Sequence, residues 1–299
     1  MFIFLCAEIT AVAILINYIS NTPLWLTSSL VIISTLIYTL YGGLRASIIT
    51  DNLQFLIVVS LLLICLFNIF SSDLIVSREL SSSTLNLLSG NYIPNYTSGI
   101  TFFIAVGATN LFHQGNWQRV YAAKNYKVLK KSLIFSFLII MPIVFFMGFS
   151  GLIAVSQDSN VIPDLAFFSL ILKDNLLTIS VIVVILAISL TISSIDTLIN
   201  AISSLIIVDA TKIINLESNH LKLSKQFVIF LSLIAFFVAS KGFSILYLFL
   251  IADLFCCAAV LSVFYTFYSK SYNEKNAYVS IIIGLICGLL LFPSPDFSK

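Results

Sequence analysis

Runs of apolar residues, each about as long as a membrane is thick, recur along the whole chain and are separated by short polar segments. A helix needs about twenty such residues to cross a bilayer. The pattern therefore predicts nine membrane spans, at about residues 1–20, 24–41, 46–70, 97–115, 132–155, 176–208, 225–240, 244–268 and 277–292. The short alternating strands of an outer-membrane barrel do not fit these runs. We expect an all-α integral membrane bundle that forms a single transmembrane domain over residues 1–299.

Composition supports this class. Of the 299 residues, 60% are hydrophobic and only 9% are charged, and the mean hydropathy is +1.09. A soluble domain carries about a quarter charged residues, so a soluble enzyme is excluded. A net charge of +2 gives no basic surface for nucleic acid. The lipid bilayer is the expected partner.

Charge alternates between the loops. Two long connections, 71–96 and 156–175, are mainly acidic, whereas the alternate connections hold most of the lysines and arginines. Basic loops stay in the cytoplasm by the positive-inside rule. The sequence therefore predicts a multi-pass protein of the cell (inner) membrane, with the N-terminus of this chain cytoplasmic and its C-terminus extracytoplasmic.

The sixth span carries a polar stripe that includes Ser193, Ser194, Asp196 and Thr197. A carboxylate at mid-bilayer costs about 2.5–3.5 kcal/mol, so Asp196 is expected to face protein, water or a cation. Neighbouring hydroxyls and a carboxylate offer the all-oxygen ligands that hard cations prefer, and sodium is the natural candidate. The alternative is hydrogen bonding between helices.

A second acid, Asp51, lies in the third span and shares a helix face with Ser47 and Gln54. Two interpretations stay open. Asp51 either joins a buried polar site or forms an ion pair near the cytoplasmic end of its helix, six residues beyond Arg45.

The apolar stretch of the fourth span is too short to cross a membrane as one helix. The span also contains Gly99, Gly107 and Gly115. These features predict a broken helix, and broken helices at membrane depth line cavities that hold substrates. The candidate substrate-binding residues are Asn110, His113, Gln114 and Asn116, with Thr109 beside them. The alternative is an ordinary interfacial helix end.

Two further acids lie within spans, Glu8 in the first and Asp253 in the eighth, and we assign both to structural pairing. The stretch Gly148-Phe149-Ser150-Gly151 has the G-x-S-G form of intramembrane serine proteases. No histidine lies on a neighbouring span to act as its base, so catalysis is not expected. No cofactor motif is present.

Three stretches of this sequence resemble the sodium/solute symporter family, whose members carry solutes such as proline, sugars and urea together with sodium. Residues 38–54 match the pattern Y-T-x-x-G-G-L-x-A followed by T-D-x-x-Q. Residues 118–124 are similar to the Q-R-x-x-A-A-K that follows the broken sixth core helix. Residues 193–198 are similar to the S-[ST]-x-x-S-x-L element of the eighth core helix.

This resemblance implies a site. The first sodium of the family would bind the Ser193 and Ser194 hydroxyls and the Leu190 carbonyl. A second sodium, present in some members, would take Asp51 together with Ser193, Asp196 and Thr197. Asp196 stands where two-sodium members have a hydroxyl, so one or two ions remain possible.

The resemblance also implies a fold and a function. The family core has five plus five helices in inverted repeats, and the first span here corresponds to the third core helix, so we expect a chain that lacks the first two. The expected function is sodium-coupled symport of a small organic solute by alternating access, with sodium as the coupling ion. The alternatives are a non-transporting symporter-like sensor module or a non-functional truncated remnant.

Overall fold

The computed structural model describes residues 1–71, 90–158, 161–173, 177–213, 220–269 and 273–294, and the regular elements within these ranges are all helical. The helices are α1 (Phe2–Ser20), α2 (Leu24–Ser71), α3 (Ile93–Phe112), α4 (Gln114–Ala122), α5 (Tyr126–Gln157), α6 (Ala166–Ile171), α7 (Leu177–Ile213), α8 (His220–Ala239), α9 (Ile245–Tyr265) and α10 (Glu274–Leu290), with one 3-10 turn at Pro163–Leu165. The expected all-α membrane fold is confirmed.

Seven helical segments in the described part of the chain are long and apolar enough to span a membrane: Phe2–Ser20, Leu24–Gly43, Ser47–Phe67, Tyr126–Gln157, Leu177–Asp209, Leu221–Ala239 and Ile245–Tyr265. They coincide with seven of the nine predicted spans. The other two correspond to α3, which carries polar residues at both ends, and to α10, which has 17 residues. The count of nine spans and the single-domain boundary stay predictions.

A glycine separates the second and third spans. The helical run α2 is interrupted at Gly43, whose φ of 55° and ψ of −152° lie outside the helical region. A residue with a side chain adopts this positive φ at a steric cost, whereas glycine does not. The pair Gly42-Gly43 thus lets the chain turn between two spans with almost no intervening loop.

The two most central helices are α1 and α7. One face of α1 is fully buried, including Ile9 and Ala13. Both helices contribute to two hydrophobic clusters, one shared with α2, α5 and α6 and the other with α2 and α8. Most large apolar side chains on α5 are exposed, as expected for a helix that faces lipid. The polar stripe of α7 therefore lies inside the bundle.

Candidate functional site

Asp196 is the centre of a buried hydrogen-bond cluster and is 0% exposed. Its Oδ1 accepts from Ser47 Oγ at 2.9 Å, and its Oδ2 accepts from the Tyr38 hydroxyl at 3.0 Å and from Thr50 Oγ1 at 3.3 Å. All three donors lie on α2, on either side of the break at Gly43. The break brings hydroxyls from both spans onto one carboxylate, which offsets the desolvation of Asp196.

Asp51 belongs to a second cluster on the same pair of helices. Its Oδ1 accepts from Ser193 Oγ at 2.6 Å and its Oδ2 pairs with the Arg119 guanidinium, also at 2.6 Å. The same Arg119 nitrogen lies 2.7 Å from Thr197 Oγ1, and the second nitrogen donates to the Gly115 carbonyl at 3.3 Å. A cation from the protein itself thus stands between Asp51 and Thr197.

The predicted broken helix is present. Helix α3 ends at Phe112, His113 adopts an extended backbone (φ −76°, ψ 97°), and α4 starts at Gln114. Gly115 then passes so close to α7 that a Cβ built on it would lie 2.6 Å from Thr197 Cγ2 and 3.0 Å from the His113 ring. The missing side chain at position 115 is what lets α4 bring Arg119 to α7.

A cavity of about 780 Å³ opens between α1, α3, α7 and α9. Ser193, Ser194 and Thr197 line it on the side of α7, and Asn110 and His113 line it where α3 ends. This volume is in the range of small-molecule sites. The polar ends of the broken helix and the hydroxyl pair of α7 therefore face the same space.

Two carboxylates line this cavity from opposite helices, Glu8 on α1 and Asp253 on α9. Glu8 accepts a hydrogen bond from the Ser194 hydroxyl, and Asp253 accepts one from Thr109. Within the described part of the chain, neither acid forms an ion pair. Each acid therefore has one hydroxyl partner, as structural pairing implies, and in addition lines the cavity.

The structure brings most of the candidate residues together. Around the cavity are Ser193, Ser194, Thr197, Asn110, His113 and Asn116. Asp51 and Asp196 lie behind them, and the Leu190 carbonyl lies one helical turn before Ser194. Gln114 sits in the first turn of α4 but is not among the cavity-lining residues. Asp51 combines its two interpretations, because it joins the polar cluster through Ser193 and also forms an ion pair, with Arg119 rather than Arg45 as the partner.

Several residues of the site were missed by sequence reasoning. Tyr38, Ser47 and Arg119 were noted only as parts of motifs or helix faces, although each contacts one of the two buried acids. A usable signal exists for the cavity acids, since Phe4 precedes Glu8 by four residues and Phe249 precedes Asp253 by four. This spacing puts an aromatic ring and a carboxylate on one face of each helix.

Comparison with known protein families gives a match to the sodium:solute symporter family over residues 1–284. The chain belongs to the sodium:solute symporter family. Among curated proteins, the spermidine transporter DUR31 of Candida albicans is 28% identical over 268 residues, which are 88% of this chain and 50% of that protein. The chain thus spans about half the length of this curated relative. No solved structure matches it significantly. The expected family is confirmed.

Proposed function

We propose that the chain is the symporter part of a sodium-coupled transporter that carries a small organic solute by alternating access, without catalysis. The observation that carries this proposal is that the α7 hydroxyl pair and the broken α3–α4 helix line one cavity. Broken helices and intramembrane polar groups mark ion and substrate sites in transporters. A core of inverted repeats, a location in the cell membrane and a cytoplasmic start of α1 are part of the same proposal.

The sodium site that we propose consists of the Ser193 and Ser194 hydroxyls and the Leu190 carbonyl. Each hydroxyl hydrogen already has an acceptor, Asp51 for Ser193 and Glu8 for Ser194. A hydroxyl that donates its hydrogen to a carboxylate keeps its lone pairs for a cation. Both oxygens can therefore coordinate sodium without losing these bonds.

The second sodium is not part of the proposal, although Asp51, Ser193, Asp196 and Thr197 are its possible ligands. The Arg119 guanidinium already lies within 2.7 Å of Asp51 and Thr197. The Asp196 carboxylate already accepts hydrogen bonds from three hydroxyl groups of α2. The positive charge of Arg119 would repel a second sodium ion at this position. We therefore propose one coupling ion per cycle.

The solute would bind in the cavity, where the polar residues at the break in α3–α4 can contact it. Asn110 and Asn116 already form one hydrogen bond with each other at 3.0 Å, and Asn116 is the donor. His113 Nδ1 is buried and has no hydrogen-bond partner in the described part of the chain. An unpaired buried nitrogen is unfavourable unless a ligand satisfies it. Gln114 would contribute only if α4 moved during the cycle.

The test is uptake into liposomes that contain the purified 299-residue chain. Because the fungal relative is named for spermidine, radiolabelled spermidine is a suitable first probe. We expect an inward sodium gradient to accelerate uptake relative to an equal potassium gradient. Equal uptake in the two gradients would contradict sodium coupling.

Two matched variants test which hydroxyl groups bind the sodium ion. Ser194→Ala removes one proposed ligand and should raise the sodium concentration needed for half-maximal uptake by about tenfold, with the solute affinity at saturating sodium unchanged. Ser204→Ala removes a hydroxyl of the same helix that contacts Gln118 instead of the cavity, so it should leave sodium dependence unchanged. The same sodium dependence in both variants would refute the assigned ligands.

A further inference from the structure

We infer that the solute is an organic cation, and that Glu8 on α1 and Asp253 on α9 bind its ammonium groups within the cavity. This inference rests on the proposed transport function and adds the chemical class of the solute to it.

The acids around the cavity favour a cationic solute. The carboxyl groups of Glu8 and Asp253 both line the cavity, and Asp253 is 8% exposed. Arg119 also lines the cavity, but its guanidinium is engaged by Asp51, so this pair adds no net charge. Glu8 and Asp253 are therefore the acids of the cavity lining that form no ion pair in the described part of the chain. Carboxylates at membrane depth are stable when they face a cation or water.

The apolar surface of the cavity favours an organic ion over a bare metal ion. Phe4 and Phe249 pack against each other with ring centres 5.3 Å apart, and both line the cavity. Phe4 also lies 6.3 Å from the His113 ring. Aromatic faces attract ammonium groups and pack against the methylene carbons between them. A small inorganic cation has no methylene carbons to pack against these rings.

The two acids and the two rings are arranged symmetrically. On α1 the ring of Phe4 lies one turn before Glu8, and on α9 the ring of Phe249 lies one turn before Asp253. The two helices pack directly against each other. Both carboxylates and both rings therefore line the same cavity, an arrangement suited to a solute with more than one ammonium group. His113 Nδ1 supplies an additional acceptor.

Competition with the wild-type chain tests the solute class without any substitution. Radiolabelled spermidine is bound to the purified full chain in sodium, and unlabelled putrescine, butylamine and the uncharged 1,8-octanediol are added as competitors. Displacement should weaken in the order diamine, monoamine, diol, because each lost ammonium group loses one carboxylate contact. Equal displacement by the diol and the diamine would overturn the inference.

Substitutions then test the two acids. Glu8→Gln and Asp253→Asn should each weaken spermidine binding by about tenfold, and the double variant should abolish it. Glu274→Gln is the matched control, because Glu274 is an exposed acid in the first turn of α10, away from the cavity. Unchanged binding in the folded double variant would overturn the inference.

Sodium binding to the same samples separates the two proposals. If the chain binds radioactive sodium but spermidine does not bind, the ion site stands and the assignment of an organic cation is wrong. If neither binds, the proposed symport function itself fails.

Discussion

Two groups of carboxylates lie in this bundle and have different partners. Asp196 and Asp51 are satisfied by the protein itself, through hydroxyl groups and one guanidinium. Glu8 and Asp253 each accept from a hydroxyl, line the cavity and form no ion pair in the described part of the chain. The difference suggests that the first pair holds α2, α4 and α7 together, whereas the second pair is kept available for a ligand.

The largest expected effect on stability comes from removing Asp196. Asp196→Ala leaves the Ser47 and Tyr38 hydroxyls without their acceptor in a buried site and should cost about 2–3 kcal/mol. This loss should lower the midpoint of thermal unfolding in detergent by about 5 °C or more.

Glu8→Gln provides the comparison for that result. It removes a carboxylate that lacks an ion-pair partner in the described part of the chain, so the midpoint should change little or rise. If both substitutions destabilise the protein equally, the distinction between the two groups of acids is wrong.

A smaller loss is expected at the contact between α4 and α7. Gly115→Ala places a Cβ 2.6 Å from Thr197 Cγ2, so α4 must shift at a cost of about 1–2 kcal/mol. Gly148→Ala is the control, because no atom lies within 4 Å of its Cβ position. The measurement is again the unfolding midpoint, and equal midpoints in the two variants would show that α4 is not held tightly against α7.

The smallest effect on stability, and the most informative on the ion count, is expected for Arg119. Its ion pair with Asp51 is partly exposed, with side-chain exposures of 37% and 23%, so its loss should cost less than about 1 kcal/mol. Arg119→Met leaves Asp51 and Thr197 without a cation and should admit a second sodium, which Arg119→Lys should still exclude. Equilibrium binding of radioactive sodium to both variants measures this, and one bound ion in the methionine variant would contradict the role given to Arg119.

Much of the fold could be predicted because the lengths of the apolar runs and the positions of glycines are local features of the sequence. The turn at Gly43 and the break at His113 both follow from such signals. The polar stripe of α7 was also visible, because hydroxyls on an apolar helix stand out at helical spacing.

The partners of each acid could not be predicted in the same way. Ser47 and Asp196 are 149 residues apart in the chain, and Asp51 and Arg119 are 68 apart. Helix packing decides such contacts, and periodicity carries no information about which helices become neighbours. For the same reason, Glu8 and Asp253 looked like isolated acids until α1 and α9 were seen to enclose one cavity.

The most direct test of the account is the number of sodium ions that the wild-type chain binds at saturation. Because Arg119 fills the position between Asp51 and Thr197, only the Ser193–Ser194 site is left for an ion. Equilibrium dialysis of the purified 299-residue chain against radioactive sodium should give one ion per chain, with affinity reduced in Ser194→Ala and unchanged in Ser204→Ala. Two ions per wild-type chain, or none, would contradict the account.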